Sequence, residues 1–101
     1  MQTQQVSVEL GQTVMTRGIS NLLSLHPELQ FLIHYSIYRH SKGDWGSLCD
    51  DDRKVNDEAV IDGSRLLSSY DFPKYVVGHS KFWIITEADR SVTTVLFPSE
   101  Y

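Results

Sequence analysis

Two β-prone runs in the sequence constrain its fold more than any other feature. Residues 81–87 and 91–97 are rich in β-branched and aromatic side chains, and a short polar stretch separates them. Both faces of the first run are apolar, because Phe82 and Ile84 alternate with Trp83 and Ile85. An antiparallel sheet with one wet face is apolar on one side only. The sequence therefore predicts a hairpin that needs cover on both faces.

The tip of this hairpin contains no glycine and reads Glu87, Ala88, Asp89, Arg90. A two-residue hairpin loop favours Asn-Gly or Asp-Gly, because both of its central residues need positive φ. The tip therefore predicts a four- or five-residue loop around a type I turn. We expect the Asp89 carboxylate to accept a backbone N–H within the turn and Arg90 to pair with Glu87.

Before the hairpin, the apolar residues recur with the period of a helix. Thr16 can cap a first helix with one apolar face, formed by Ile19, Leu22 and Leu23. Pro27 suits the first position of a second helix, and Gly43 suits its left-handed end. The buried side of this second helix is predicted to carry Leu29, Leu32, Ile33, Ser36 and Ile37.

A third helix and a further strand are predicted between residues 50 and 71. Asp50 or Asp51 can cap the helix, and Gly63 can end it. From residue 65 the apolar period changes to two, which predicts a strand, and residues 75–77 are expected to continue the sheet.

These elements predict an α+β fold, with two or three N-terminal helices packed on a C-terminal antiparallel sheet of three strands. Val6, Val8 and Leu10 alternate with polar residues, so residues 1–14 are predicted as an extension, either a fourth strand or a flexible tail. Residues 15–101 then form a single α+β domain. Helices can cover one sheet face, and the chain offers no evident second source of cover. We therefore expect a homodimer that buries Trp83.

The net charge of −4 is concentrated in one segment. Between residues 44 and 62, seven acidic residues stand against two basic ones, which gives −5 and leaves +1 for the rest. Direct nucleic-acid binding is disfavoured, because phosphates require the opposite charge. The sequence shows neither a membrane-spanning run nor a signal peptide, and Cys49 is its single cysteine. A reducing cytoplasm is the simplest location.

Five motifs carry a family resemblance: MTRG at 15–18, GDWG at 43–46, DDRKVND at 51–57, GSRLLSSY at 63–70 and WIITEADRSVTTVLFPSEY at 83–101. Together they resemble a family of small uncharacterised proteins encoded on plasmids and integrated mobile elements. Some members carry names borrowed from type I restriction systems. The resemblance covers residues 15–101. It implies a mobile-DNA context and, because no activity is established for the family, no catalytic residues.

No motif predicts a metal site or a cofactor. His34 and His40 lie six residues apart on one helix and so face nearly opposite directions, and no CxxC pair accompanies Cys49. Neither a glycine-rich phosphate loop nor a nucleophile elbow occurs. The order of elements also resembles RelE-type ribonuclease toxins in topology, but the sequence lacks the basic surface expected for gripping RNA.

Two groups of residues are candidates for a functional site. Trp45 fits either a core position between the second and third helices or a concave site shared with Asp44, Glu87 and Arg90. The candidate interaction residues are Asp44, Trp45, Trp83, Glu87, Asp89 and Arg90. The candidate acidic surface comprises Asp50, Asp51, Asp52, Asp57 and Glu58.

The leading hypothesis is a non-enzymatic protein-interaction module, carried by mobile DNA, that binds a host or element protein. One alternative is a small hydrolase or nuclease that uses Glu87, Asp89 and Asp44. Another is an acidic DNA mimic that inhibits a host defence enzyme, with residues 44–62 imitating phosphates. Enzymatic activity is left open, with the interaction role favoured.

Overall fold

The computed structural model describes residues 6–101. Within them the elements run β1 (Gln12–Met15), α1 (Arg17–Leu25), α2 (Leu29–Ser41), α3 (Asp50–Asp62), β2 (Leu66–Asp71), β3 (Lys81–Thr86), β4 (Val92–Leu96) and a short 3-10 helix (Pro98–Glu100). The predicted α+β class is confirmed, and the three helices precede three of the four strands.

The four strands form one mixed sheet in the order β1-β4-β3-β2. Strands β2, β3 and β4 pair antiparallel as predicted, but β1 runs parallel to β4, so the expectation of a wholly antiparallel sheet is wrong. The long connection between β1 and β4 makes this possible, because parallel strands need a crossover of a dozen or more residues. The predicted extension does contribute a strand, since residues 12–14 lie in β1. The alternating residues 6–10 that indicated a strand lie before β1 and not in it.

The main core lies between α1, α2 and one face of the sheet. Helix α1 begins after Thr16, whose hydroxyl accepts the Ile19 N–H at 3.4 Å, as predicted. The helices contribute Ile19, Leu22, Leu23, Leu29 and Ile33, and these pack against Tyr70, Phe82, Ile84, Val95 and Phe97. Each fully buried side chain of this kind stabilises the fold by roughly 1.5–3 kcal/mol. The apolar face predicted for α1 is confirmed.

A second, smaller core surrounds Trp45. Its ring packs with Val8, Ala59 and Leu66, and its indole N–H donates to the Asp57 carboxylate at 2.9 Å. Only 4% of Trp45 is exposed. The interpretation of Trp45 as a core residue is therefore confirmed, and the ring is closed to a ligand.

The second face of the hairpin is partly covered within the chain. On this face Ile85 and Leu96 are only 3% and 5% exposed. The Tyr101 ring meets the Trp83 ring edge-on, with 5.8 Å between centroids, and the Arg65 guanidinium lies 4.9 Å from the centre of the Tyr101 ring. Trp83 itself is half-buried. The expectation that the chain offers no cover for this face is therefore wrong in part, and the homodimer through Trp83 stays a prediction.

Three local predictions also differ from the structure. Helix α2 begins at Leu29, because Pro27 lies in the preceding turn, where its carbonyl accepts the Gln30 N–H. The cap of α3 is Cys49, and all three aspartates of residues 50–52 lie in the first turn, where negative charge suits the helix dipole. Residues 75–77 form a turn and not a strand, because the Val76 N–H bonds back to the Pro73 carbonyl.

Candidate interaction surface

The hairpin tip is a tight turn held by its own groups. The Arg90 N–H donates to the Glu87 carbonyl at 2.9 Å. The Asp89 carboxylate accepts the Ser91 hydroxyl at 2.6 Å and the Ser91 N–H at 3.0 Å. These two bonds lower the pKa of Asp89. The role predicted for Asp89 is confirmed.

Arg90 adopts a backbone conformation that favours glycine, with φ at 60°. Its guanidinium donates to three backbone carbonyls, those of Ser64 at 2.7 Å, Ala59 at 3.1 Å and Glu87 at 3.2 Å. The Glu87 carboxylate faces Arg65 at 3.9 Å, so its expected pairing with Arg90 is wrong. The Arg90 charge instead lies at the C-terminal end of α3, whose last turn holds no basic residue. A glycine at this position would relax the backbone but leave those carbonyls without their donor.

Replacing Arg90 with alanine should destabilise the protein by about 2–3 kcal/mol, because hydrogen bonds from a charged donor contribute about 1.5–3 kcal/mol. Arg90→Gly should cost roughly 1 kcal/mol less than Arg90→Ala, because glycine takes positive φ without strain. Urea unfolding of both variants beside the wild type measures these differences. If Arg90→Gly were as stable as the wild type, the side chain would not anchor the tip.

The three carboxylates of the hydrolase hypothesis have structural partners. Asp44 accepts the Arg39 guanidinium at 2.7 and 3.1 Å and the Gly46 N–H at 3.2 Å. The Arg39 bond, followed by the Gly46 N–H, lowers the pKa of Asp44. A general acid needs a raised pKa beside a cleft, whereas the pKa values of Asp44 and Asp89 shift the other way. Asp44 and Asp89 are each held by structural hydrogen bonds.

The acidic residues of α3 serve the helix and the small core. Asp50, Asp51 and Asp52 are exposed in its first turn, and Glu58 is exposed further along. Asp57 accepts the indole N–H of the buried tryptophan. Among residues 6–101, no three His, Cys, Asp or Glu side chains come together to hold a metal ion. In the same residues, no helix is long and apolar enough to cross a membrane.

Trp83 lines a groove of about 370 Å³ between α3 and the second sheet face. Leu67 and Trp83 belong to the sheet, while Val55 and Asn56 project from α3. The Asn56 amide is occupied, because it accepts the Leu67 N–H at 3.0 Å and donates to the Leu67 carbonyl. The groove is largely apolar, and none of Asp44, Glu87 and Asp89 lines it.

His40 lies fully buried at the centre of a chain of hydrogen bonds. Its Nδ1 is 2.6 Å from the Ser68 hydroxyl, and its Nε2 is 2.8 Å from the Thr86 hydroxyl. Thr86 is 2.7 Å from Thr93, which donates to the Leu10 carbonyl at 2.7 Å. Because that carbonyl can only accept, Thr86 must donate to Thr93, and the Nε2–H must donate to Thr86. Ser68 then donates to Nδ1, so the network fits a neutral imidazole.

The outer face of α2 carries three exposed aromatic rings. Phe31, Tyr35 and Tyr38 follow the i, i+4, i+7 spacing of one helix face and are 82%, 62% and 58% exposed. The Arg39 guanidinium lies 6.0 Å from the centre of the Tyr35 ring, and the Lys42 ammonium lies 5.8 Å from that of Tyr38. Residues 29–42 include no acidic residue. These five residues are called the aromatic surface of α2.

Sequence reasoning identified only the buried side of α2. Of its predicted residues, Leu29, Ile33 and Ser36 are buried, while Leu32 and Ile37 are half-buried. The aromatic spacing on the opposite side was present in the sequence. It gave a weak signal, because a helix that is apolar on both faces loses the contrast by which an amphipathic helix is recognised.

The composition of this surface separates it from the rest of the exterior. Scattered exposed apolar residues such as Ile61 and Val77 are ordinary on soluble proteins. Aromatic residues and arginine in one continuous patch are typical of the centres of protein interfaces. Comparison with protein-family models, curated proteins and solved structures finds no match to this chain.

Proposed function

We propose that this protein is a non-enzymatic interaction module that binds another protein through the aromatic surface of α2. The observation that supports this proposal most strongly is the exposure of Phe31, Tyr35 and Tyr38 in one stripe. Aromatic side chains bury about 150–250 Å² each and dominate the energetics of interfaces. Covering all three would remove a large apolar area from water at a small cost in side-chain entropy.

The charge around the stripe selects the chemistry of the partner. Lys42 contributes positive charge at one end of the stripe, whereas the Arg39 guanidinium is paired with the Asp44 carboxylate at 2.7 Å. A partner segment with apolar side chains in the middle and an acidic one at the end near Lys42 would complement both features. An amphipathic helix laid along α2 has this arrangement. Within this proposal, we expect such a partner among host or element proteins of the reducing cytoplasm, as the resemblance to plasmid and mobile-element proteins implies.

The alternative functions have less structural support. Hydrolysis has less support, since Asp44 and Asp89 are held by structural hydrogen bonds. DNA mimicry depends on exposed acids whose position in the first turn of α3 is explained by the helix dipole. A homodimer through Trp83 has less reason, because the chain itself buries Ile85 and Leu96 on that face.

Two matched double variants test the proposal. Phe31→Ala with Tyr35→Ala removes part of the aromatic surface, while Ile61→Ala with Val77→Ala removes apolar side chains elsewhere that are at least as exposed. A protein captured by the wild type from host lysate would be purified and titrated against all three forms. We expect the first variant to bind at least tenfold more weakly, since interface hot spots contribute about 2 kcal/mol or more each.

The control variant should bind like the wild type. Circular dichroism would show that both variants keep the fold, which the exposure of all four residues favours. Equal binding by the two variants would contradict the proposal, and so would the failure of the wild type to bind any protein.

A further inference from the structure

The two edges of the sheet are protected very differently. At the β2 edge, the Asn56 side chain occupies both backbone groups of Leu67. Further along that edge, the Ser69 N–H donates to the Trp45 carbonyl at 3.2 Å, and the Ser69 carbonyl accepts the Ser47 N–H at 2.8 Å. A strand whose outer groups are occupied in this way cannot pair with another strand.

Strand β1 forms the opposite edge without this protection. Gln12 and Thr16 each donate their N–H to a backbone carbonyl on the β4 side at 3.0 Å. Because alternate residues of a strand direct their backbone groups to opposite sides, those of Thr13 and Met15 point outward. No residue among 6–101 pairs with this outer side, and β1 is exposed, uncharged and free of proline. Such an edge is a template for an additional strand.

We propose that the protein forms a symmetric dimer by antiparallel pairing of β1 with β1 of a second copy. A two-fold axis at Val14 makes the strand complementary to itself. Thr13 of each copy then exchanges both backbone hydrogen bonds with Met15 of the other, which gives four bonds in total. Val14 faces Val14 of the second copy, at a Cα separation of about 4.5 Å for such a pair.

Three features allow a second copy to pair with β1. The register is self-complementary, and no charge on β1 opposes its own image. Val14 and Met15, which are 36% and 41% exposed, would both lose contact with water. Beside Met15, the small residues Ser20 and Ser24 line a cleft of about 460 Å³, which leaves room for the second chain. The dimer joins two four-stranded sheets into one of eight strands.

Charged substitutions at Val14 test both the dimer and its register. Sedimentation at about 100 µM, where even a Kd in the micromolar range gives mostly dimer, should show the wild type as a dimer. Val14→Lys and Val14→Glu should each dimerise about fivefold more weakly or worse, because like charges directly opposite one another destabilise a strand pair. An equimolar mixture of the two variants should restore the dimer. Ile61→Lys, a charge on a distant exposed position, should remain dimeric.

Thr13→Pro provides a second variant that spares the fold. It removes an outward N–H that β4 does not use, so the monomer should stay folded while dimerisation weakens at least tenfold. A monomeric wild type at this concentration would overturn the proposal. An unchanged dimer Kd for Val14→Lys, or a mixture of the two charged variants that dimerises no more tightly than either variant alone, would overturn it as well.

Discussion

Replacing Trp45 with alanine should destabilise the protein by about 3–5 kcal/mol, as truncation of a buried aromatic side chain does. The ring fills the small core and meets the His40 ring edge-on, with 5.6 Å between centroids. Its loss would leave a cavity between α3 and β2 and remove the indole donor of Asp57. Both effects destabilise the protein. Helix α3 has few other apolar contacts with the sheet that would hold it in place.

Two further tryptophan variants test whether the loss of stability comes from the packing of the Trp45 ring. Trp45→Phe keeps an aromatic ring and loses the hydrogen bond to Asp57, so it should cost less than Trp45→Ala, about 1–2 kcal/mol. Trp83→Ala removes a half-buried ring from the second sheet face and should also cost less than Trp45→Ala. Urea unfolding followed by far-ultraviolet circular dichroism measures all three. A loss below about 1 kcal/mol for Trp45→Ala, the scale of surface substitutions, would contradict its place in the core.

Lowering the pH from 6.5 to 4 should remove about 3 kcal/mol from the stability of the protein. Burial, aided by the positive charge of Arg90, lowers the pKa of His40 from 6.5 to about 4. The unfolded chain takes up a proton on this ring below pH 6.5, whereas the folded chain resists protonation until about pH 4. The unfolded state therefore binds more protons in this interval, and stability falls as the pH falls.

The hydrogen-bond network around His40 fits the neutral ring and opposes its protonation. A protonated imidazole would donate from both nitrogens, and Ser68 would have to redirect its own proton away from Nδ1. His40→Gln removes the titrating ring, so its stability should be nearly constant between pH 6.5 and 5. The carboxyl groups with lowered pKa values, Asp44 and Asp89 with an ordinary value of 3.8 and Glu100 with one of 4.5, affect stability below this interval. An equally steep loss in wild type and His40→Gln would show that His40 is not the cause.

Local sequence signals predicted the elements whose causes are themselves local. The Thr16 cap, the left-handed Gly63 and the Asp89 turn each depend on residues within four positions, and each occurs in the structure. The alternation of side chains in β2 and β3 likewise predicted which residues share a face of the sheet. The two strands are antiparallel neighbours, as predicted.

The remaining features depend on residues far apart in the chain. The direction of β1 is set by its pairing with β4, some 80 residues later. Arg90 tolerates a positive φ because it reaches carbonyls 26 and 31 residues away. The burial of His40 depends on hydroxyls from three different strands. No periodicity within a single segment encodes these contacts, so the sequence predicted neither the carbonyl contacts of Arg90 nor the hydrogen-bond network of His40.

The most direct test of the interaction hypothesis is photo-cross-linking in the host cell. A photoreactive phenylalanine analogue would replace Phe31 in one form of the protein and Ile61, an equally exposed control position, in another. The proposed role of the aromatic surface of α2 predicts one discrete adduct at residue 31 that is absent at residue 61. Absence of any adduct at residue 31, or the same adducts at both positions, would contradict it.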